Sequence, residues 1–320
     1  MSKLEDLLKP FQVSAFGVTN EPVPISFSAY AGWVKRDYHK PLSYLADHRL
    51  ELRSDLRQFY PDFKQAIVFL FSYSEERAGL EKIYQDQNWN GWKIASYALG
   101  FEDQDYHFVL KKKLISILDT LKKEYSGLEG VLTLDVHPVL ERDLAYRSGL
   151  GWFGKNSMLI HQGLGSFVMI GSLLLNQEIQ TPTPRLETDH CGNCRACLDI
   201  CPTDAINEAQ RTITAEKCIS TFTIELFKEA PVIPGHLERG TGEIFGCDLC
   251  QDVCPWNKKP LQQTSLQGAS KWANYFLLRP RNEVIAELEN FSQKGFRRFF
   301  AGSVFERLGK NGLLKNLKIY

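Results

Sequence analysis

All eight cysteines of this 320-residue chain lie between Cys191 and Cys254, and none precedes that window. A disulfide framework is a poor reading of them. No stretch approaches 18 consecutive apolar residues; the best runs, such as Ala66 to Phe71, are strand-sized. The start, Met1-Ser-Lys-Leu-Glu-Asp6, lacks the basic-then-apolar pattern of a secretory leader. A cytoplasmic chain without a membrane span is expected, and thiols there stay reduced. Clustered reduced thiols read as metal ligands.

Their spacing is specific. Cys191-Gly-Asn-Cys194-Arg-Ala-Cys197-Leu-Asp-Ile-Cys201-Pro202 is C-x2-C-x2-C-x3-C-P, the run with which bacterial ferredoxins hold 4Fe–4S clusters. An expanded second half follows: Cys218, then Cys247-Asp-Leu-Cys250-Gln-Asp-Val-Cys254-Pro255. In such runs three closely spaced thiolates wrap one cluster and the fourth reaches across to the other. Two 4Fe–4S clusters with crossed ligands are therefore expected. Cys191, Cys194, Cys197 and Cys254 would hold the first, and Cys201, Cys218, Cys247 and Cys250 the second. A pair of four-cysteine zinc sites is the plainer alternative, but it does not require a doubled C-x3-C-P. Neighbouring clusters conduct electrons and perform no reaction, so the chemistry is expected in the preceding segment.

That segment has the pattern of an α/β domain. Ile67 to Phe71, Val131 to Val136 and Phe167 to Leu175 read as strands, and Tyr106 to Tyr125 as an amphipathic helix. Three domains are expected: a catalytic α/β domain over 1–180, a ferredoxin-like two-cluster domain over 181–268, and a helical tail over 269–320. The proline-punctuated Gln180-Thr-Pro-Thr-Pro-Arg185 marks the first boundary. Formal net charge is +0. No global field exists to grip nucleic acid, and only a local patch could do so. The tail offers one: from Ser292 onward it carries Lys294, Arg297, Arg298, Arg307, Lys310, Lys315 and Lys318 against Glu306 alone. A solvated helix face is the plainer reading of such a run; Arg297 and Arg298 are its candidate nucleic-acid contacts.

Candidate chemistry before residue 180 is sparser. Asp105-Tyr-His107 and Asp135-Val-His137 begin like the cobalamin-ligand motif D-x-H-x-x-G, but Leu110 and Leu140 stand where its glycine belongs. Both histidines read as hydrogen-bonded structural residues. Gly149-Leu-Gly151-Trp-Phe-Gly154 lacks the βαβ frame of a dinucleotide site. Asp135 reads as the end of a strand stopped by Pro138, a rim position where a desolvated carboxyl can hold a proton for donation. A helix-capping Asp fits equally well. Glu141, three residues after Pro138, reads as a partner for Arg142.

Together these residues resemble a known family. Asp105-Tyr-His107, Pro138-Val-Leu-Glu-Arg142, Gly149-Leu-Gly151-Trp-Phe-Gly154-Lys155-Asn156, the cysteine runs, Cys218-Ile-Ser220 and Gly246-Cys-Asp248-Leu-Cys-Gln251 are similar to those of epoxyqueuosine reductases. The resemblance runs from about residue 40 to the end. It implies a nitroreductase-like cobalamin domain fused to the two-cluster module, with cobalamin held base-off. It also implies reduction of epoxyqueuosine to queuosine at the wobble position of tRNA. Asp135 would be the proton donor, and Arg53, Asp135, Ile160, Ile170, Ser220 and Asp248 would contact cobalamin. A low-potential ferredoxin or flavodoxin would supply electrons to a monomer.

Two departures stand out. Members often read I-A-R-Y-A before D-Y-H, whereas Ile94-Ala-Ser96-Tyr-Ala98 has Ser for Arg. Many also continue into HEAT-like repeats where this chain ends within a helical pattern, so a short or truncated member is expected. The rivals are a reductive-dehalogenase-like corrinoid enzyme, usually exported behind a twin-arginine signal absent here, and a non-catalytic electron-transfer or nucleic-acid-binding iron–sulfur protein.

Overall fold

The computed structural model describes residues 3–226, 235–262 and 270–319. The expected boundary between 268 and 269 lies outside the described residues. At the centre is a four-stranded sheet of β1 (Ala15–Thr19), β2 (Gln65–Ser72), β3 (Gly130–Thr133) and β4 (Val168–Leu175), in the order β1-β2-β4-β3. Every pairing is antiparallel. Both faces are covered, and the alternation along β2 shows how. Ile67, Phe69 and Phe71 enter one apolar cluster, and Ala66, Val68 and Leu70 enter another, as successive side chains of a strand must point to opposite faces.

Helix α1 (Tyr106–Glu124) packs on the first face. Its buried residues Tyr106, Leu110, Leu114, Ile117 and Leu121 form one stripe at helical spacing. Asp105 caps it by accepting from His107 N at 3.0 Å. The shorter α2 (Glu141–Arg147) covers the second face through Leu144 and Ala145. Among the described residues, no helix is long and apolar enough to cross a membrane.

The expected strand over Val131 to Val136 is shorter than its pattern predicts: β3 stops at Thr133. The reason is local. His137 N donates to Leu134 O at 2.9 Å, and His137 Nδ1 lies 3.0 Å from Leu134 N, folding the chain into a turn. Asp135 sits in that turn instead of ending the strand.

The C-terminal segment forms α3 (Lys271–Leu277), α4 (Arg281–Asn290), α5 (Gln293–Phe299) and α6 (Gly309–Leu317). Trp272, Phe276, Phe296, Phe300 and Phe305 share one apolar cluster with Phe69 and Leu114 of the first sheet face. The segment is therefore packed into the apolar core on the first face of the sheet.

One stretch of backbone is strained. Phe101, Glu102 and Asp103 have φ of 56°, 59° and 63°, a left-handed turn that costs on the order of 1–2 kcal/mol per residue for side chains with a Cβ. Asp103 holds it in place: its carboxylate accepts from Ser270 Oγ and, at 2.9 Å, from Lys271 N, and its carbonyl accepts from Trp272 Nε1 at 3.0 Å. Two residues on, Asp105 N donates to Gly302 O at 2.7 Å.

Candidate active site and cluster module

The cysteine module is seated against the sheet domain by a small polar lock. Asn257 accepts from Ser166 N at 2.7 Å and donates to Ser166 Oγ at 3.0 Å and Gln251 O at 2.7 Å. Gly165 has φ of 70°, and a Cβ there would stand 2.0 Å from Asn257 Oδ1. Only glycine allows this approach. Gly151 is equally constrained: at φ 137°, a Cβ would lie 2.1 Å from Ile160 O. The Trp152–Phe153 strand can then pair with Leu159–Ile160.

The shifted thiols feel neighbours in two groups that meet at Cys250, which senses Cys218 and Cys201 and also Cys197. Burial, followed by the charges of Cys191, Cys254 and Cys194, pushes the Cys197 thiol up to about 11. Cys191, Cys194, Cys197 and Cys254 also line a cavity of about 240 Å³ with Ile160 and Trp256. Cys250 is raised by burial and then chiefly by Cys218, Asp248 and Cys201; Cys247 is raised by burial, Glu243, Cys250 and Cys218. Ala205 N points at Cys201 Sγ at 3.4 Å, the kind of contact that stabilises a cluster sulfur. Among the described residues, no three His, Cys, Asp or Glu side chains converge on a site for a single metal ion.

A second constellation lies at the turn after β3. Tyr106 OH donates to Asp135 Oδ2. His107 Nε2 lies 2.8 Å from Asp135 Oδ1, an ion pair off the line of a good hydrogen bond. His107 Nδ1 lies 2.6 Å from Asp105 Oδ1. One imidazole therefore bridges two carboxylates. Burial opposes its protonation, but Asp105 and Asp135 outweigh that and lift His107 to about 9. Burial raises Asp135, yet His107, Tyr106 and Arg307 together bring it below its ordinary value. The carboxyl expected to be raised by desolvation is lowered instead, because His107 beside it favours its charged form. The sequence reads His107 as merely structural because its second partner is 28 residues away along the chain.

Glu141 differs from Asp135. Burial, then the charge of Asp135, pushes it well above the ordinary carboxylate range, and its Oε1 is buried without a partner. The expected pairing with Arg142 is not made. Instead, Arg142 Nη1 donates to Ser157 O and, at 2.8 Å, to Ser157 Oγ.

The other candidate residues scatter. Arg53 is buried with its Cζ 5.6 Å from the Tyr30 ring, and its Nη1 has no partner. Ile160 packs with Trp152 and Cys254, beside the first cysteine group. Ile170 lies on β4 opposite Leu70. Ser220 hydrogen-bonds Cys218 through its hydroxyl. Asp248 accepts from Ser96 Oγ and, at 2.7 Å, from Ser96 N; burial and Asp252 raise it to about 6.

The seven bases of the tail do not form one cationic face. Lys315 Nζ donates to Phe222 O at 2.6 Å and is pushed down to about 8 by burial. Lys310 Nζ donates to Phe291 O at 2.6 Å, and Lys318 pairs with Glu289 at 2.6 Å. Arg307 is turned toward Tyr106, Asp105 and Asp135, whose charges raise it against burial. Lys294, Arg297 and Arg298 of α5 remain exposed.

Residues 190–257 match a family described as "4Fe-4S double cluster binding domain", and residues 53–135 match "Epoxyqueuosine reductase QueG, DUF1730". The epoxyqueuosine reductase of Cyclobacterium marinum is 35% identical over 288 residues, covering 89% of this chain and 84% of that protein. The solved structure of epoxyqueuosine reductase from Streptococcus thermophilus has the same fold, with a TM-score of 0.79 at 24% identity, covering 99% of this chain and 79% of that one. A crystal structure of epoxyqueuosine reductase with an epoxyqueuosine-modified tRNA stem loop aligns with a TM-score of 0.76 at 22% identity, covering 99% of this chain and 79% of that one. With a matching family segment that ends on Asp135 itself and a double-cluster segment that contains all eight cysteines, this chain belongs to the epoxyqueuosine reductase family.

Proposed function

We propose that this protein reduces the epoxide of epoxyqueuosine to queuosine at the wobble position of tRNA, with Asp135 delivering the proton to the departing oxygen. The observation that carries the catalytic assignment is the Asp105–His107–Asp135 bridge. Converting an epoxide to an alkene takes two electrons and two protons, and the oxygen leaves as water. Two 4Fe–4S clusters and base-off cobalamin, when bound, would supply the electrons and the low-valent cobalt.

The residues present fit those groups. Cys191, Cys194, Cys197 and Cys254 line one cavity and would hold the first cluster, and Cys201, Cys218, Cys247 and Cys250 would hold the second. For cobalamin, the buried unpartnered Nη1 of Arg53 wants an acceptor. Asp135 keeps 44% of its side chain exposed beside the buried Tyr106, so a bound group can reach its carboxylate. Arg53 and Asp135 would meet the cofactor directly. Ile160 and Ile170 would act as apolar walls, and Ser220 and Asp248 would lie at the edge nearest the second cluster. The sheet domain would then be the nitroreductase-like cobalamin-binding unit of residues 1–180, with 181–268 as the ferredoxin-like module and 269–320 as the helical segment.

His107 stores the proton at neutral pH. As the epoxide oxygen gains charge, the proton moves from His107 Nε2 to Asp135 and from Asp135 to that oxygen. The second proton needed for water to leave comes from solvent through the reprotonated His107. Tyr106 and Asp105 hold the pair in register. A positioned acid of this kind contributes ~10²–10⁴-fold. Arg297 and Arg298 would meet the tRNA backbone, and a small low-potential ferredoxin or flavodoxin would dock at the exposed Cys194 edge. The protein would act as a cytoplasmic monomer. Anaerobic single turnover with an epoxyqueuosine-containing stem-loop, read by nucleoside mass spectrometry, tests the reading. Queuosine is expected, and unchanged epoxyqueuosine with intact clusters and bound cobalamin would reject it.

A further inference from the structure

Phe108 is the most exposed large hydrophobic side chain among the described residues, at 62%. It lies two positions after Tyr106, about 200° around α1 from the buried stripe at ~100° per residue. The core has no use for it there. Single exposed hydrophobics are common on protein surfaces, but this one lines a cavity. Phe108, Asp105, Arg297, Arg307, Lys310 and Asn311 surround a space of about 610 Å³ between the start of α1 and the helices α5 and α6. Glu306 also lines it; Lys310 is tied to the carbonyls of Glu289 and Phe291 and Arg307 is turned toward Asp105, which leaves exposed Arg297 as the cation beside the ring. One turn further along α1, Lys111 and Lys112 are exposed as well.

An aromatic face among arginines and lysines is how proteins hold unpaired nucleobases: the ring stacks the base and the cations meet its phosphates. The position is equally telling. Phe108 directly follows His107, which contacts Asp135, and the cavity itself includes Asp105. A nucleoside presented to Asp135 would leave its neighbour in the strand close to Phe108.

We infer that Phe108 is the stacking platform for a single-stranded nucleobase flanking the modified nucleoside, with Arg297 bearing on the phosphate beside it. The inference rests on the RNA-reducing reading above and adds where the loop is gripped next to the reacting residue. A buried apolar residue would be needed for folding; this one serves a ligand.

The test is equilibrium binding of a fluorescein-labelled anticodon stem-loop RNA, with guanosine at the wobble position so that no reaction occurs, to the cluster-loaded protein. Phe108→Ala should weaken binding roughly 5- to 100-fold, as expected for loss of one stacked base. Phe108→Trp should restore it. The salt dependence should be unchanged in Phe108→Ala, whereas Arg297→Ala should lower the slope by about one. An abasic nucleotide beside the wobble position should bind the parent and Phe108→Ala alike. If Phe108→Ala binds with parent affinity while Arg297→Glu binds weakly, stacking is rejected and the RNA reading stands. If the parent itself does not bind the stem-loop, the RNA reading fails first. Unchanged melting temperature and cluster absorption identify folded variants.

Discussion

His107 Nε2 lies 2.8 Å from Asp135 Oδ1, and this contact decides which of the two carries the proton at neutral pH. The imidazole is also tied to Asp105 through Nδ1, so it serves two carboxylates and is held to about 9. Asp135 is correspondingly kept ionised. A carboxylate beside an imidazolium can hand on a proton that it does not itself retain.

Asp135→Asn preserves size and removes the titrating oxygen. It should lower single-turnover epoxide reduction by ~10²–10⁴-fold while leaving iron content and stem-loop affinity at parent values. Turnover close to the parent rate would remove Asp135 from the proton path.

The pH dependence should follow His107. Its folded pKa is raised, so its contribution to stability is complete below its ordinary value of about 6.5 and disappears as pH climbs through about 9. Turnover should fall over the same alkaline window as the stored proton dissociates. His107→Gln should flatten both profiles, read as melting temperature and single-turnover rate between pH 6 and pH 10. A parent-like alkaline limb in that variant would assign the titration elsewhere.

These two residues also show what can be read from the chain and what cannot. Asp135 is visible because Pro138 and the residues around it mark a turn at the end of an apolar run. Its protonation is not, since that is set by His107, far away in sequence and brought near only when β3 and α1 lie side by side. The cysteine module is legible for the opposite reason: its geometry is encoded in short fixed spacings that need no tertiary contact to recognise. The Tyr106–Glu124 helix is similarly plain from its stripe and its Asp105 cap. The antiparallel strand order is not, because alternation of strands and helices does not specify direction. Nor can charge counting show that Lys315 is consumed by the carbonyl of Phe222.

Iron content distinguishes crossed from uncrossed ligation. The parent should hold about eight irons, two four-iron clusters. The double variant Cys201→Ala/Cys218→Ala removes two ligands from one cluster if the ligands are crossed, so about four irons should remain. Uncrossed ligation predicts damage to both clusters and a lower count.

Charge reversal at Arg297 and Arg298 should weaken tRNA binding and reduce its salt dependence, since removing one phosphate neutralisation lowers the slope by about one. Lys315→Gln, by contrast, should leave the slope alone and lower the melting temperature, because that ammonium caps the turn at Phe222 inside the protein. Equal salt slopes for the parent and the Arg297/Arg298 reversal would move the RNA path off α5.

The left-handed turn at Phe101–Asp103 ties the two ends of the chain's core together. Left alone, three such residues would relax to ordinary backbone angles, and Asp105 and His107, directly downstream, would drift with them. What prevents this is Asp103's grip on Ser270, Lys271 and Trp272, at the head of the C-terminal helices. Asp105 and His107 are thus held in place by chain about 170 residues further on. The placement of Asp105 and His107 is coupled to the docking of α3, and a change at Ser270 reaches them without touching either residue.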